Sequence, residues 1–232
     1  MPETRNSSES LCLRIGALAL DTEDTGTDIY NKLGLREPDK MGFKTPRFLS
    51  LISSLLENSV QKNELLLDTA EIEDVFTAFH GRSTPPVSIK QYIDRMYKYA
   101  GCSPSCFVVA YIYVDRYLQQ TKTYLTSLNV HRLLVTSVMV AAKFIDDSFF
   151  NNAYYAKVGG INTSEMNRLE MKLLFGVDFR LQVNVETFRR YCLLLDKEVG
   201  ECELDWPMKA CWVKESWSSK DTEFPRKTPV AR

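Results

Sequence analysis

Three ionisable side chains interrupt stripes of apolar residues that recur at helical spacing. Asp115 and Glu170 each lie inside such a stripe, and Lys143 lies near the end of the most apolar run, residues 126–147. A charge in a buried stripe costs several kcal/mol unless it is paired. The chemistry that these residue types support is ion pairing and hydrogen bonding to a neighbouring segment.

Each of the three charges has a structural and a functional interpretation. For Asp115 the structural one is favoured, in which the carboxylate clamps a neighbouring helix through hydrogen bonds. Lys143 either pairs with Asp147, four residues on, or serves binding. Glu170 either forms an internal ion pair or serves binding. Our hypothesis is that a second polypeptide completes the site around Lys143 and Glu170.

The sequence argues against catalysis. It contains no GxxxxGK[ST] phosphate loop, no GxGxxG and no GxSxG elbow. The two histidines, His80 and His131, lie far apart and neither is near a matched nucleophile. We therefore predict that the protein is not an enzyme.

Metal and cofactor sites are not predicted either. The six cysteines form no C-x-x-C pair, whereas zinc sites usually use closely spaced pairs. Asp146 and Asp147 suggest a magnesium site, but Phe150 stands where another ligand is needed, so a solvated helix end is preferred. No metal and no cofactor are expected.

Charge and hydropathy restrict the partners. A formal net charge of −1 gives no general attraction to nucleic acid. No run approaches the roughly 20 apolar residues that cross a bilayer. Neither nucleic acid nor a membrane is therefore expected as a partner.

The elements that must position these charges are helices. Apolar spacing and capping residues predict five closely spaced helices over residues 88–175, with one more on each side and no strands. Residues 1–44 are predicted to be a flexible leader with a short helix near residues 28–33. Residues 45–87 form a helix and a connector, and residues 88–200 form the main domain. Residues 201–232, which contain all three tryptophans, are predicted to be a poorly ordered tail.

The charged stripes lie in segments that resemble a cyclin. VVAYIYVDRYL resembles the second cyclin-box helix, with Asp115 on its usual acid. VAAKFIDDSFFNN resembles the third helix, with Lys143 on the characteristic lysine, and TSEMNRLEMKLLFGVDFRL resembles the fifth, with Glu170 on the characteristic glutamate. The resemblance covers residues 49–195. SIKQYIDRMYKYAGCSP and INTSEMNRLEMKLLFGVDF look like plant P/U-type cyclins, which are similar to fungal cyclins of phosphate signalling.

The resemblance implies an all-α fold, a single five-helix cyclin box with flanking N- and C-terminal helices. It also implies a regulatory subunit that forms a heterodimer with a cyclin-dependent kinase of the A type, whose PSTAIRE-like helix contacts Lys143 and Glu170. The expected role is kinase activation in cell-cycle or nutrient (phosphate) signalling, in the nucleus and cytoplasm. The alternative is a cyclin-fold scaffold or transcription adaptor that does not activate a kinase.

Three aromatic residues near Lys143 are candidates for anchors in such an interface. Phe149 and Phe150 follow the end of the helix, which favours exposure over core packing. For Phe144, core packing and an interface role are equally compatible with the pattern.

Overall fold

The computed structural model describes residues 26–35, 46–69 and 75–197. Within these residues the chain forms eight α-helices and no strand, as the sequence predicts. The predicted tail, residues 201–232, lies outside the described residues. The helices are α1 (Gly26–Leu33), α2 (Arg47–Asp68), α3 (Ile89–Tyr99), α4 (Pro104–Thr121), α5 (Val130–Ile145), α6 (Asn152–Gly159), α7 (Thr163–Gly176) and α8 (Val185–Lys197).

Short polar side chains fix where the helices begin. Ser88 and Gln91 form a reciprocal capping box at α3. Asn151 and Asn162 accept hydrogen bonds from backbone N–H groups in the first turns of α6 and α7. These caps fix where α3, α6 and α7 begin.

The most apolar helix, α5, is the centre of the bundle. It is buried along almost its whole length and packs against α3, α4, α6 and α7. It begins at Val130, four residues later than the apolar run. Asn129 explains this later start. Its Oδ1 accepts a hydrogen bond from the N–H of Thr126 and its Nδ2 donates one to the carbonyl of Tyr124, which stabilises a turn before the helix.

The start of α2 also differs from the expected cap. The sequence favours Thr45 as N-cap with Pro46 at the first helical position. In the structure Pro46 is itself the N-cap and the helix begins at Arg47. Thr45 lies outside the described residues.

The first helix packs against the last one. Ile29, Tyr30 and Leu33 are buried, and α1 contacts α8. Lys32 Nζ donates to Asp196 Oδ2 at 2.6 Å. The short helix that the sequence predicts near residues 28–33 is therefore present, and its apolar side covers α8.

Among the residues that the structure describes, no helix combines the length and the hydropathy that a bilayer-spanning segment requires.

Candidate functional site

Lys143 and Glu170 form an ion pair between α5 and α7. Lys143 lies in the last turn of α5, and its Nζ donates to Glu170 Oε1 at 2.7 Å. The two side chains keep 26% and 19% of their surface exposed. The pair therefore lies at the edge of the core, where a partner molecule can reach it.

Asn152 completes this pair into a closed network. This first residue of α6 accepts a hydrogen bond from Lys143 Nζ at its Oδ1. Its Nδ2 donates to Glu170 Oε2 at 2.6 Å and to Asn167 Oδ1 at 2.8 Å. Three helices, α5, α6 and α7, are thus joined at one point.

The network changes the interpretation of the two charges. Lys143 pairs with Glu170, not with Asp147, so Glu170 has the internal partner that one of its interpretations required. A second polypeptide is therefore not required to neutralise these two charges, because each pairs with the other within the chain. What a partner can use is the capacity that remains, such as the third hydrogen of the lysine ammonium group.

Sequence reasoning missed Asn152. The available signal was the pair Asn151-Asn152, because one asparagine suffices as the N-cap of α6 and the second is then free for another role. Asn151 is the cap, since its Oδ1 accepts from the N–H of Tyr154 at 3.0 Å.

Exposed aromatic rings follow Lys143 along the chain. Phe144, Phe149 and Phe150 are 42%, 52% and 43% exposed. Phe150 stacks on Tyr154, with ring centroids 4.0 Å apart, and its edge lies against Gly101, where a Cβ atom would come within 2.6 Å of the ring. Phe150 is thus supported from within the protein while part of its ring faces solvent.

A second set of exposed apolar side chains follows Glu170, and the sequence did not point to it. Met171, Phe175 and Phe179 are each about half exposed or more. The rings of Phe175 and Phe179 meet edge to face at 5.2 Å. Asp178 and Phe179 both adopt positive φ, near 54°, which is uncommon for such residues and costs of order 1–3 kcal/mol. The strained backbone therefore includes Phe179, whose ring is exposed.

Asp115 lies apart from this surface, in the core. The carboxylate is 4% exposed and accepts hydrogen bonds from the Tyr191 hydroxyl of α8 and from Gln119 Nε2 at 2.8 Å. Burial raises the pKa of this carboxyl, while the two hydrogen bonds act to lower it. Asp115 therefore joins α4 to α8 and does not present a charge to a partner.

Comparison with known proteins places these helices in a known family. Residues 47–181 match the family model described as cyclin. The chain is similar to Cyclin-P3-1 of Oryza sativa subsp. japonica, at 54% identity over 197 residues covering 84% of each chain. It is also similar to Cyclin-U3-1 of Arabidopsis thaliana, at 48% identity over 210 residues covering 88% of this chain and 94% of that one.

Proposed function

The chain belongs to the cyclin family, and from this premise we propose that it binds and activates a cyclin-dependent kinase through the surface around Lys143 and Glu170. Cyclins are regulatory proteins and not enzymes, and membership implies a kinase partner. The relatives are P- and U-type plant cyclins. The observation that carries the proposal is the partly exposed Lys143–Glu170 ion pair, because the family resemblance assigns these two residues to kinase binding.

The geometry supports recognition of a helix end or a loop. An ammonium group and a carboxylate held side by side offer a donor and an acceptor at a fixed separation, which suits backbone C=O and N–H groups of a partner segment. Because Asn152 already holds both side chains in place, little side-chain freedom is lost when the partner binds.

The exposed rings supply the apolar part of the interface. Large aromatic side chains in a fully desolvated contact are typical hot spots of binding. We assign this role to Phe144, Phe149 and Phe150 beside the pair, and to Phe175 and Phe179 beyond it. All five rings are exposed, and large exposed apolar side chains favour a protein partner over a solvated surface.

The proposed effect on the kinase is conformational. Binding holds the mobile PSTAIRE-type helix of an A-type kinase inward, so that its Lys–Glu ion pair and metal-binding groups assemble. All catalytic residues then belong to the kinase. The cellular setting we propose is cell-cycle or phosphate signalling, in the nucleus and cytoplasm.

The Glu170→Ala variant tests the site. We expect its affinity for the kinase to fall by more than about fivefold, about 1 kcal/mol, as for truncation of a central interface residue. Lys172→Ala is the matched control, because Lys172 is an exposed cation on the same helix. Affinity is measured by titration calorimetry with a purified cyclin-dependent kinase, and helicity by circular dichroism. Equal affinity of the Glu170→Ala variant and the wild type would refute this site.

Kinase activity on a peptide substrate separates an activator from a scaffold. We expect the native chain to raise the phosphorylation rate of the bound kinase and the Glu170→Ala variant to do so only at higher concentration. A chain that binds the kinase without raising the rate would instead favour the scaffold function.

A further inference from the structure

Two cysteines and an aspartate converge at the point where α4 begins and α5 ends. The sulfur atoms of Cys102 and Cys106 and a carboxylate oxygen of Asp146 all lie within 4.8 Å of one another. Cys106 is fully buried, Cys102 and Asp146 are half-buried, and the Cys106 thiol donates to Asp146 Oδ2 at 3.3 Å. This cluster shares no residue with the Lys143–Glu170 network.

We propose that Cys102, Cys106 and Asp146 bind one Zn²⁺ ion. Two thiolates and one carboxylate are ligands that zinc accepts, and a water molecule would complete the tetrahedron, since no fourth protein ligand joins the cluster among the described residues. Ligand distances of about 2.3 Å to sulfur and about 2.0–2.2 Å to oxygen imply separations of roughly 3.5–3.8 Å between ligand atoms in a tetrahedron. Cys106 Sγ and Asp146 Oδ2 already lie 3.3 Å apart, close to that separation.

The surroundings of Asp146 prepare it as a ligand. Its Oδ2 accepts a hydrogen bond from the backbone N–H of Ser103 at 2.8 Å. This bond orients the carboxylate toward the sulfur atoms, as outer-shell partners orient metal ligands in known sites. The partly exposed Cys102 side provides the route by which the ion enters.

The backbone turn before α4 brings the two cysteines together. Ser103 is the N-cap of α4 and Pro104 is its first residue, so Cys102 precedes the cap and Cys106 occupies the first turn. The third ligand comes from 40 residues further along the chain. The C-x-x-C pattern matches neither the three-residue spacing of Cys102 and Cys106 nor a distant aspartate, so the sequence predicted no metal.

Zinc binding replaces hydrogen bonds with metal–ligand bonds. Each thiol loses its proton to solvent as its sulfur bonds the ion. The ion then joins the start of α4 to the end of α5, a connection that the protein otherwise makes through the Ser103 and Cys106 hydrogen bonds to Asp146.

Metal content tests the proposal. The full chain is produced without a histidine tag and with Cys12, Cys202 and Cys211 changed to serine, loaded with zinc and gel-filtered. We expect about one zinc per chain by elemental analysis, in keeping with a single three-ligand site, and loss of that zinc in Cys102→Ser and Asp146→Asn variants. Cys192→Ala, which removes a buried thiol of α8, is the control and should retain the metal.

Affinity and spectroscopy decide between the outcomes. Because even outer-shell changes weaken metal binding by roughly 10–100-fold, we expect more than tenfold weaker zinc binding in each ligand variant, with helicity unchanged. Cobalt in place of zinc should give a thiolate-to-metal charge-transfer band that weakens in Cys102→Ser. The proposal is overturned by an absence of bound zinc, by equal zinc affinity in the ligand variants, or by a Cys102–Cys106 disulfide in the mass of the unreduced protein.

Discussion

His131 and Asp115 are buried ionisable side chains that the fold favours in their neutral forms. His131 Nε2 lies 2.8 Å from the carbonyl oxygen of Val87, so this nitrogen carries the hydrogen that it donates. Burial lowers the pKa of His131, and the positive charges of Arg95 and Arg132 lower it further. Burial raises the pKa of Asp115. Protonation of His131 therefore destabilises the folded state, whereas protonation of Asp115 favours it.

Replacement of His131 by glutamine should weaken the dependence of the free energy of unfolding on pH. The folded state holds the pKa of His131 below the 6.5 of the unfolded chain, so below about pH 6.5 the unfolded state takes up the proton more readily. The free energy of unfolding then decreases as pH falls, by up to about 1.4 kcal/mol per pH unit. In the His131→Gln variant this decrease should be absent.

Urea unfolding of both proteins between about pH 5 and 7.5, a window that brackets the ordinary histidine pKa, measures the difference. Asp115 is present in both, so its opposite contribution cancels in the comparison. Identical slopes would mean that His131 does not titrate differently on folding.

At the scale of helices, local signals predicted boundaries well where a side chain caps the helix. The capping box at Ser88 and the asparagine cap at Asn162 were readable because each involves residues only three apart. The start of α5 was not, because Asn129 forms a competing turn. The stripe that contains Asp115 was enough to place its side chain in the core.

The candidate site could be predicted only in part. Lys143 and Glu170 were identified from their positions in apolar stripes and from the family resemblance. Their pairing, and the contribution of Asn152, depend on how α5, α6 and α7 meet in space. A helical period describes one face of one helix and carries no information on which neighbouring face it contacts.

Gly176 ends α7 at a point where the backbone closely approaches Tyr117 of α4. A Cβ atom at this position would lie 2.3 Å from Cε2 and 2.5 Å from Cδ2 of that buried ring. We expect Gly176→Ala to destabilise the protein by about 1–3 kcal/mol, because the ring must move within a packed core.

Thermal unfolding followed by circular dichroism measures this effect. Ser164→Ala, at an exposed position of the same helix, should change stability by less than about 0.5 kcal/mol. A Gly176→Ala variant as stable as the control would mean that Tyr117 relaxes without cost.

At the scale of the whole molecule, α1 and α8 close one side of the bundle. Tyr30 of α1 contacts Phe188 of α8, with ring centroids 6.0 Å apart, and Lys32 pairs with Asp196. Asp115 bonds Tyr191 of α8 from the other side. The last helix is therefore held both by the first helix and by the core.

Leu33 should contribute far more to this closure than the ion pair beside it. Leu33 is fully buried, so we expect Leu33→Ala to cost about 2–5 kcal/mol. Lys32→Ala removes a half-exposed partner of a salt bridge and should cost less than about 1 kcal/mol. Urea denaturation of the two variants gives both values, and similar losses would mean that α1 is held by charge.

The contact between α1 and α8 also has a consequence for synthesis on the ribosome. Lys32 and Asp196 are 164 residues apart in the chain. At roughly 5–20 residues per second, α8 is therefore translated about ten to thirty seconds after α1. Throughout that interval Ile29, Tyr30 and Leu33 lack the surface of α8 that later covers them. The nascent chain thus offers a short apolar segment to ribosome-bound chaperones until α8 has emerged to cover it.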